Sequence, residues 1–166
     1  MISVVGLNRI NEYGKRRDPE MNILMELKKY GITLESMGES AIALYEPCRE
    51  VDAGKSAKEI RERFKNEIKR QLSDPNVYLL IDAAMYLDRK YTLSDSEKEK
   101  GPAFIVADEL IGMAIAEYIG GKKALFNLMR YDREKPGVLA KLDVFLDDAV
   151  GGLIAGCMTR IFEDWK

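Results

Sequence analysis

Apolar residues recur along most of this chain at helical rather than strand spacing. Between Met21 and Tyr30, the residues Ile23, Leu24, Leu27 and Tyr30 gather on one helical face, and Gly31 follows as a plausible C-cap. Thr33 is placed to cap a second helix with Glu35 in its first turn. Its apolar face would comprise Leu34, Met37, Ala41 and Leu44, and Pro47 would close it. Ser56 and Glu59 have the S-x-x-E spacing of a capping box and open a charged helix through Leu72. Asp74-Pro75 is a cap followed by proline at the first helical position, and Val77, Leu80, Ile81, Ala84 and Leu87 then recur at helical spacing. A charged exposed loop at Ser94–Gly101 leads to a helix from about Pro102 to Tyr118. A shorter helix is expected around Lys123–Arg130, then a turn at Lys135-Pro136-Gly137 and a last helix ending at Phe162. Alternation with a period of two is confined to a short possibility at Ile2–Val5. The pattern predicts an all-α, single-domain helical bundle of about six or seven helices over residues 21–166, preceded by a loosely docked arm at 1–20.

Composition narrows the chemistry more than the fold. The 166 residues are 46% hydrophobic and 33% charged, as expected of a folded chain with a substantial core. A net charge of −2, from 28 acids and 26 bases, gives no general electrostatic reason to expect a nucleic-acid partner. No window reaches the roughly 18 to 20 uninterrupted apolar residues of a membrane span. The nearest candidates, Ala103–Gly121 and Val144–Phe162, carry Asp108, Glu109 and Glu117, and Asp147, Asp148 and Arg160. The N-terminus lacks the apolar run of a signal peptide, and Cys48 and Cys157 stand far apart, so reduced thiols in a cytoplasmic protein are the default reading.

Histidine is absent, which excludes a Ser-His-Asp triad, a phosphohistidine and a His-ligated zinc. Hydrolysis by this chain must rely on carboxylates, Lys, Arg or a hard cation. VDAGKSAKE superficially resembles a phosphate-binding loop, but Arg49 stands where that motif needs its first glycine, and the capping box explains Ser56.

Two apolar segments, ADELIGMAIAE and LDDAVGGLIAG, each place an adjacent acid pair ahead of small and aliphatic residues. Successive helical residues point about 100° apart, so one acid of Asp108/Glu109 or Asp147/Asp148 can face the bundle interior while its neighbour points sideways. Asp143 lies one turn before Asp147, so those two carboxylates are expected to share a face. Unpaired buried carboxylates are costly, so these acids must be exposed, paired with bases or bound to a cation. Gly112, Gly151, Gly152 and Gly156 permit close helix approach. Lys135, displayed at the turn between the segments, can meet a phosphate while carboxylates hold Mg2+.

ADELIG at 107–112, KPG at 135–137 and LDDAVGG at 146–152 together resemble the phosphatidylglycerophosphatase A family in order and approximate spacing. The resemblance covers roughly residues 102 to 162, and extends more faintly through YGITLES and YLDRK to the soluble branch of that superfamily. It implies an all-helical, Mg2+-dependent phosphomonoesterase acting on a small phosphorylated substrate. On that reading Asp108, Glu109, Asp147 and Asp148 position one or two Mg2+ ions, with Asp143 or Asp88 as further contributors. Asp147, Asp148 and Lys135 would carry catalysis, Lys135 by neutralising the phosphoryl group.

The soluble branch includes an archaeal phosphatase of α-ribazole 5′-phosphate in cobamide synthesis, and the membrane-bound members act on phosphatidylglycerophosphate. Lack of a spanning helix favours the soluble ester. No D-x-D-x-[T/V] segment and no C-x5-R spacing supplies another phosphatase nucleophile. The rival of another class is a non-catalytic helical module for a phosphorylated ligand or partner helix. Apolar surface left on short helices is compatible with a homodimer.

Overall fold

The computed structural model describes residues 19–46, 54–91, 94, 96 and 105–164. Among these residues there are seven α-helices and no strand, forming a single all-helical domain. Residues 1–18 of the arm expected at 1–20, the possible strand at Ile2–Val5, Pro47 and Cys48, and most of the charged segment 94–101 lie outside the described residues, whereas residues 19 and 20 open the first helix.

Helix α1 (Pro19–Lys28) leaves its last turn through Gly31 at φ +77°, and the Ile32 N–H donates to the Leu27 carbonyl at 3.1 Å. This back-bond is typical of a glycine-terminated helix. Helix α2 (Leu34–Ala43) is capped by Thr33, whose hydroxyl accepts from the Ser36 amide at 3.1 Å, while the Thr33 amide donates to Ser36 Oγ at 2.9 Å. Helix α3 (Ala57–Leu72) opens on the expected Ser56–Glu59 box and buries Ile60, Phe64, Ile68 and Leu72 along one stripe. Helix α4 (Pro75–Lys90) starts at Asp74, which accepts from the Asn76 amide at 2.8 Å.

Helices α5 (Ala107–Gly120) and α6 (Lys122–Glu134) form a hairpin about Gly121 at φ +66°. Helix α6 is longer than its expected Lys123–Arg130, because Ala124, Leu128 and Tyr131 continue the buried stripe past Arg130. After a 3-10 turn at Leu139–Lys141 comes α7 (Val144–Glu163), the axis of the domain. From Phe145 to Ile161 every α7 residue except Arg160 is buried, against α2, α3, α4, α5 and α6. A helix without a polar face must be surrounded, and burying aliphatics such as Val150, Leu153 and Ile154 contributes about 1.5–3 kcal/mol each before entropy is counted.

Direction along the bundle decides where the acids meet. A Cβ on Gly112 would lie 2.7 Å from the Asp148 carbonyl oxygen, and one on Gly120 2.8 Å from the Gly156 carbonyl oxygen. Rising numbers on α5 therefore meet rising numbers on α7, and the two helices run parallel with their backbones in contact. The α6 chain returns antiparallel: Lys123 at its start pairs with Glu163 at the α7 end at 2.8 Å, and Lys135 just past its end meets Asp147 in the first turn of α7. Tyr118 near the end of α5 donates to Asp74 at the head of α4 at 3.0 Å, so α4 is antiparallel to α5. One end of the domain thus gathers the N-termini of α5 and α7 with the C-termini of α4 and α6.

Candidate metal centre

At that end, Glu109 from α5, Asp132 from α6 and Asp148 from α7 each bring one carboxylate oxygen within 4.8 Å of the others. Asp148 is buried, and Glu109 and Asp132 are half-buried. Two oxygens on one Mg2+ stand at most about 4 Å apart, and on Ca2+ about 5 Å, so this triad suits a single hard divalent cation with slight contraction. Three oxygens and no nitrogen or sulfur favour such an ion over zinc or copper.

The electrostatics match a site waiting for positive charge. The Asp148 carboxyl is pushed up to about 8, by burial first and then by Glu109, Asp147, Asp132 and Asp108. Burial, followed by repulsion from Asp132 and Asp108, also raises Glu109. Asp147 is raised by burial as well, although Lys135 offsets part of that effect. Its carboxylate accepts a short hydrogen bond from Lys135 Nζ, which lies 3.6 Å from Asp132 Oδ1. Burial works against the Lys135 ammonium, but the bond to Asp147 and the surrounding acids win and raise its pKa.

Lys135 stands at φ 39°, ψ 57°, the one left-handed non-glycine among the described residues. Pro136 disfavours right-handed helical backbone for the residue before it, and a left-handed non-glycine costs roughly 1–2 kcal/mol. The turn is anchored to α2. The Val138 amide donates to Ser40 Oγ at 3.0 Å, and the Ser40 hydroxyl donates to the Ser36 carbonyl at 3.0 Å. Gly137, at φ +62°, has no room for a side chain, since its Cβ would stand 2.5 Å from Ser40 Oγ. One turn before Lys135, the Tyr131 hydroxyl donates to the Ala41 carbonyl at 2.8 Å.

The sequence-derived acids thus divide. Glu109 and Asp148 enter the three-oxygen cluster, whereas Asp147, one residue along, engages Lys135. Asp108 is buried and accepts from the Glu109 amide at 2.9 Å. Asp143 is the N-cap residue of α7 with extended backbone (φ −76°, ψ 167°): its carbonyl accepts the Asp147 amide at 2.9 Å, but helical geometry does not set the direction of its side chain. Asp88 on α4 spends both oxygens on α7, accepting from the Phe145 amide at 3.0 Å and the Leu146 amide at 2.8 Å. Asp132 is the residue that sequence reasoning missed. Its signal was Tyr131, whose apolar ring extends the Ala124–Leu128 stripe and carries α6, with Asp132, up to the turn.

Fold and site define an all-helical protein with a carboxylate cluster and a lysine assembled at one end of its bundle. The chain belongs to the phosphatidylglycerophosphatase A family, whose pattern matches residues 65–163, a range that spans every acid of this site and Lys135. Family membership points to phosphomonoester hydrolysis without fixing a substrate. An uncharacterized protein of Methanocaldococcus jannaschii is 43% identical over 110 residues, 63% of this chain and 87% of that protein. The fold is shared with the low temperature requirement C protein from Listeria monocytogenes (TM-score 0.70, 22% identity, 91% of this chain and 99% of that one). It is shared too with a protein of unknown function from Bacillus stearothermophilus (TM-score 0.71, 21% identity, 92% and 98%). No helix among the described residues is long and apolar enough to cross a membrane.

Proposed function

We propose that this protein is a Mg2+-dependent phosphomonoester hydrolase, with α-ribazole 5′-phosphate as its substrate. The observation that carries the reaction is the convergence of Glu109, Asp132 and Asp148 beside a lysine already engaged by Asp132 and Asp147. The substrate assignment rests on the sequence's resemblance to the soluble branch of the family.

Glu109, Asp132 and Asp148 would hold the ion. Bound there, Mg2+ supplies Lewis-acid polarisation of the phosphoryl oxygens and a lowered pKa for the attacking water. Lys135 presents its ammonium to the phosphoryl group, countering charge as water attacks phosphorus and the ester P–O bond breaks. Asp147 keeps that ammonium oriented and charged until the substrate arrives. The water proton passes to a carboxylate outside the triad, for which Asp147 and the buried Asp108 are the candidates, and that carboxyl returns it to the departing alkoxide, which leaves as the alcohol. Left-handed Lys135, pinned by Pro136 and Gly137, loses little further freedom on binding phosphate.

Phosphate release from α-ribazole 5′-phosphate and from phosphatidylglycerophosphate, each with and without Mg2+, tests the proposal. Selective Mg2+-dependent release from the first supports it, and preference for the second replaces the substrate but keeps the chemistry. Release from neither by folded protein refutes both and favours a non-catalytic phospholigand-binding module.

A further inference from the structure

We propose that Asp88 is a positioning residue: from α4 it clamps the first turn of α7 and so sets where Asp147 and Asp148 stand relative to Glu109, Asp132 and Lys135. Asp88 lies in the last turn of α4, where a negative charge opposes that helix's own dipole. Its charge instead faces the N-terminus of α7, where it is favourable. Phe145 and Leu146 are the second and third residues of α7, and their amides are the ones a capping side chain ordinarily serves. Asp143, the residue in the capping position, makes no such bond. Its task is taken over by a carboxylate 57 and 58 residues away in sequence, one oxygen to each amide.

The source of the cap matters. A local cap would tie α7 only to its own preceding loop. A carboxylate from α4 ties it to the rest of the bundle, immediately before the two acids of the site. Each oxygen of Asp88 serves an α7 amide and Asp88 stands outside the Glu109–Asp132–Asp148 cluster, so the role assigned to it is exerted through α7.

The part of this inference that concerns catalysis rests on the proposed hydrolase, so its test includes a readout on metal-free protein. Amide hydrogen exchange would be followed in wild type, Asp88→Ala and Asp88→Asn without metal, alongside Mg2+ affinity by calorimetry, kcat and KM. In Asp88→Ala, Phe145 and Leu146 should exchange at least about tenfold faster while amides in the middle of α7 stay protected. Mg2+ affinity and kcat should fall roughly 10- to 100-fold, with KM changed far less. Asp88→Asn, which keeps one acceptor oxygen, should fall between wild type and Asp88→Ala on every measure. Unchanged exchange at Phe145 and Leu146 in folded Asp88→Ala overturns the clamp. Faster exchange with unaltered Mg2+ affinity and kcat overturns the positioning role and leaves only a cap. If wild type hydrolyses no ester, the proposed function fails separately, and the Mg2+ affinities of the three proteins still decide the role of Asp88.

Discussion

Gly151 and Gly152 are neighbours on α7, yet alanine at each should act in opposite directions. A Cβ on Gly152 would run into the Gly112 carbonyl oxygen, with the Gly112 carbonyl carbon and Cα both at 3.0 Å. These are backbone atoms of a packed helix and cannot swing aside, so α5 and α7 would have to separate. Overpacking of this kind costs about 3 kcal/mol, against which the better helix propensity of alanine returns about 1. The net loss is about 2 kcal/mol. A Cβ on Gly151 meets only Leu128 Cδ1 at 3.5 Å, an ordinary contact, so Gly151→Ala should gain up to about 1 kcal/mol. The spread of about 3 kcal/mol corresponds to about 6–12 °C in Tm for a chain of this size. Thermal melts followed by circular dichroism would measure it, and Mg2+ calorimetry would show whether the separation also parts Asp148 from Glu109. Melting of Gly152→Ala within about 2 °C of Gly151→Ala would refute the claim that backbone contact holds these helices in place.

Three further outcomes are expected. Asp132→Asn and Asp148→Asn should each lower Mg2+ affinity and turnover at least about tenfold, while metal-free protein at neutral pH melts no lower than wild type: the first removes a crowded charge, and the second frees the fold from holding a proton that the unfolded chain releases. Metal-free stability, read from urea midpoints in a chelator, should fall as pH rises from about 4 to about 8: Asp148, held near 8, keeps its proton in the fold where the unfolded chain has released it. Asp147 and Glu109, raised in the same sense, should add to this fall, and Mg2+ should reverse it, its affinity rising about tenfold per pH unit up to 8. Lys135→Met should reduce kcat/KM for the phosphomonoester at least about tenfold and destabilise the fold increasingly as pH rises, since Asp147 loses the base that compensates its burial.

Helices were legible in the sequence wherever a local signal marked them. Ser56 with Glu59, Asp74 with Pro75, and Thr33 all cap the helices their positions indicate. The acid pairs were legible as costly features of apolar helices, but the partner of each acid was not. Which of Asp147 and Asp148 faces α5 depends on how α7 rotates about its axis, and that is fixed by Gly152 and Gly156 of α7 packing against Gly112 and Gly120 of α5. Asp143 illustrates the limit of spacing arguments: its carbonyl still accepts the Asp147 amide one turn on, but its extended N-cap backbone frees its side chain from the helical direction. Asp132 and the Asp88 bonds to α7 arise from helices packed antiparallel, a relation no single segment encodes.

The family match begins at residue 65, inside α3, yet the turn bearing Lys135 leans on Ser40 and Ala41 of α2. The lysine proposed to meet the phosphoryl group is therefore mounted on a part of the chain that the family pattern does not constrain. This gives divergence a place to work: a substitution at Ser40 shifts the support under the lysine while the acids of the Glu109–Asp132–Asp148 cluster stay as they are. It also makes the region from α4 onward a poor graft on its own, since a transplanted acid cluster would arrive without the bearing on which its lysine turns.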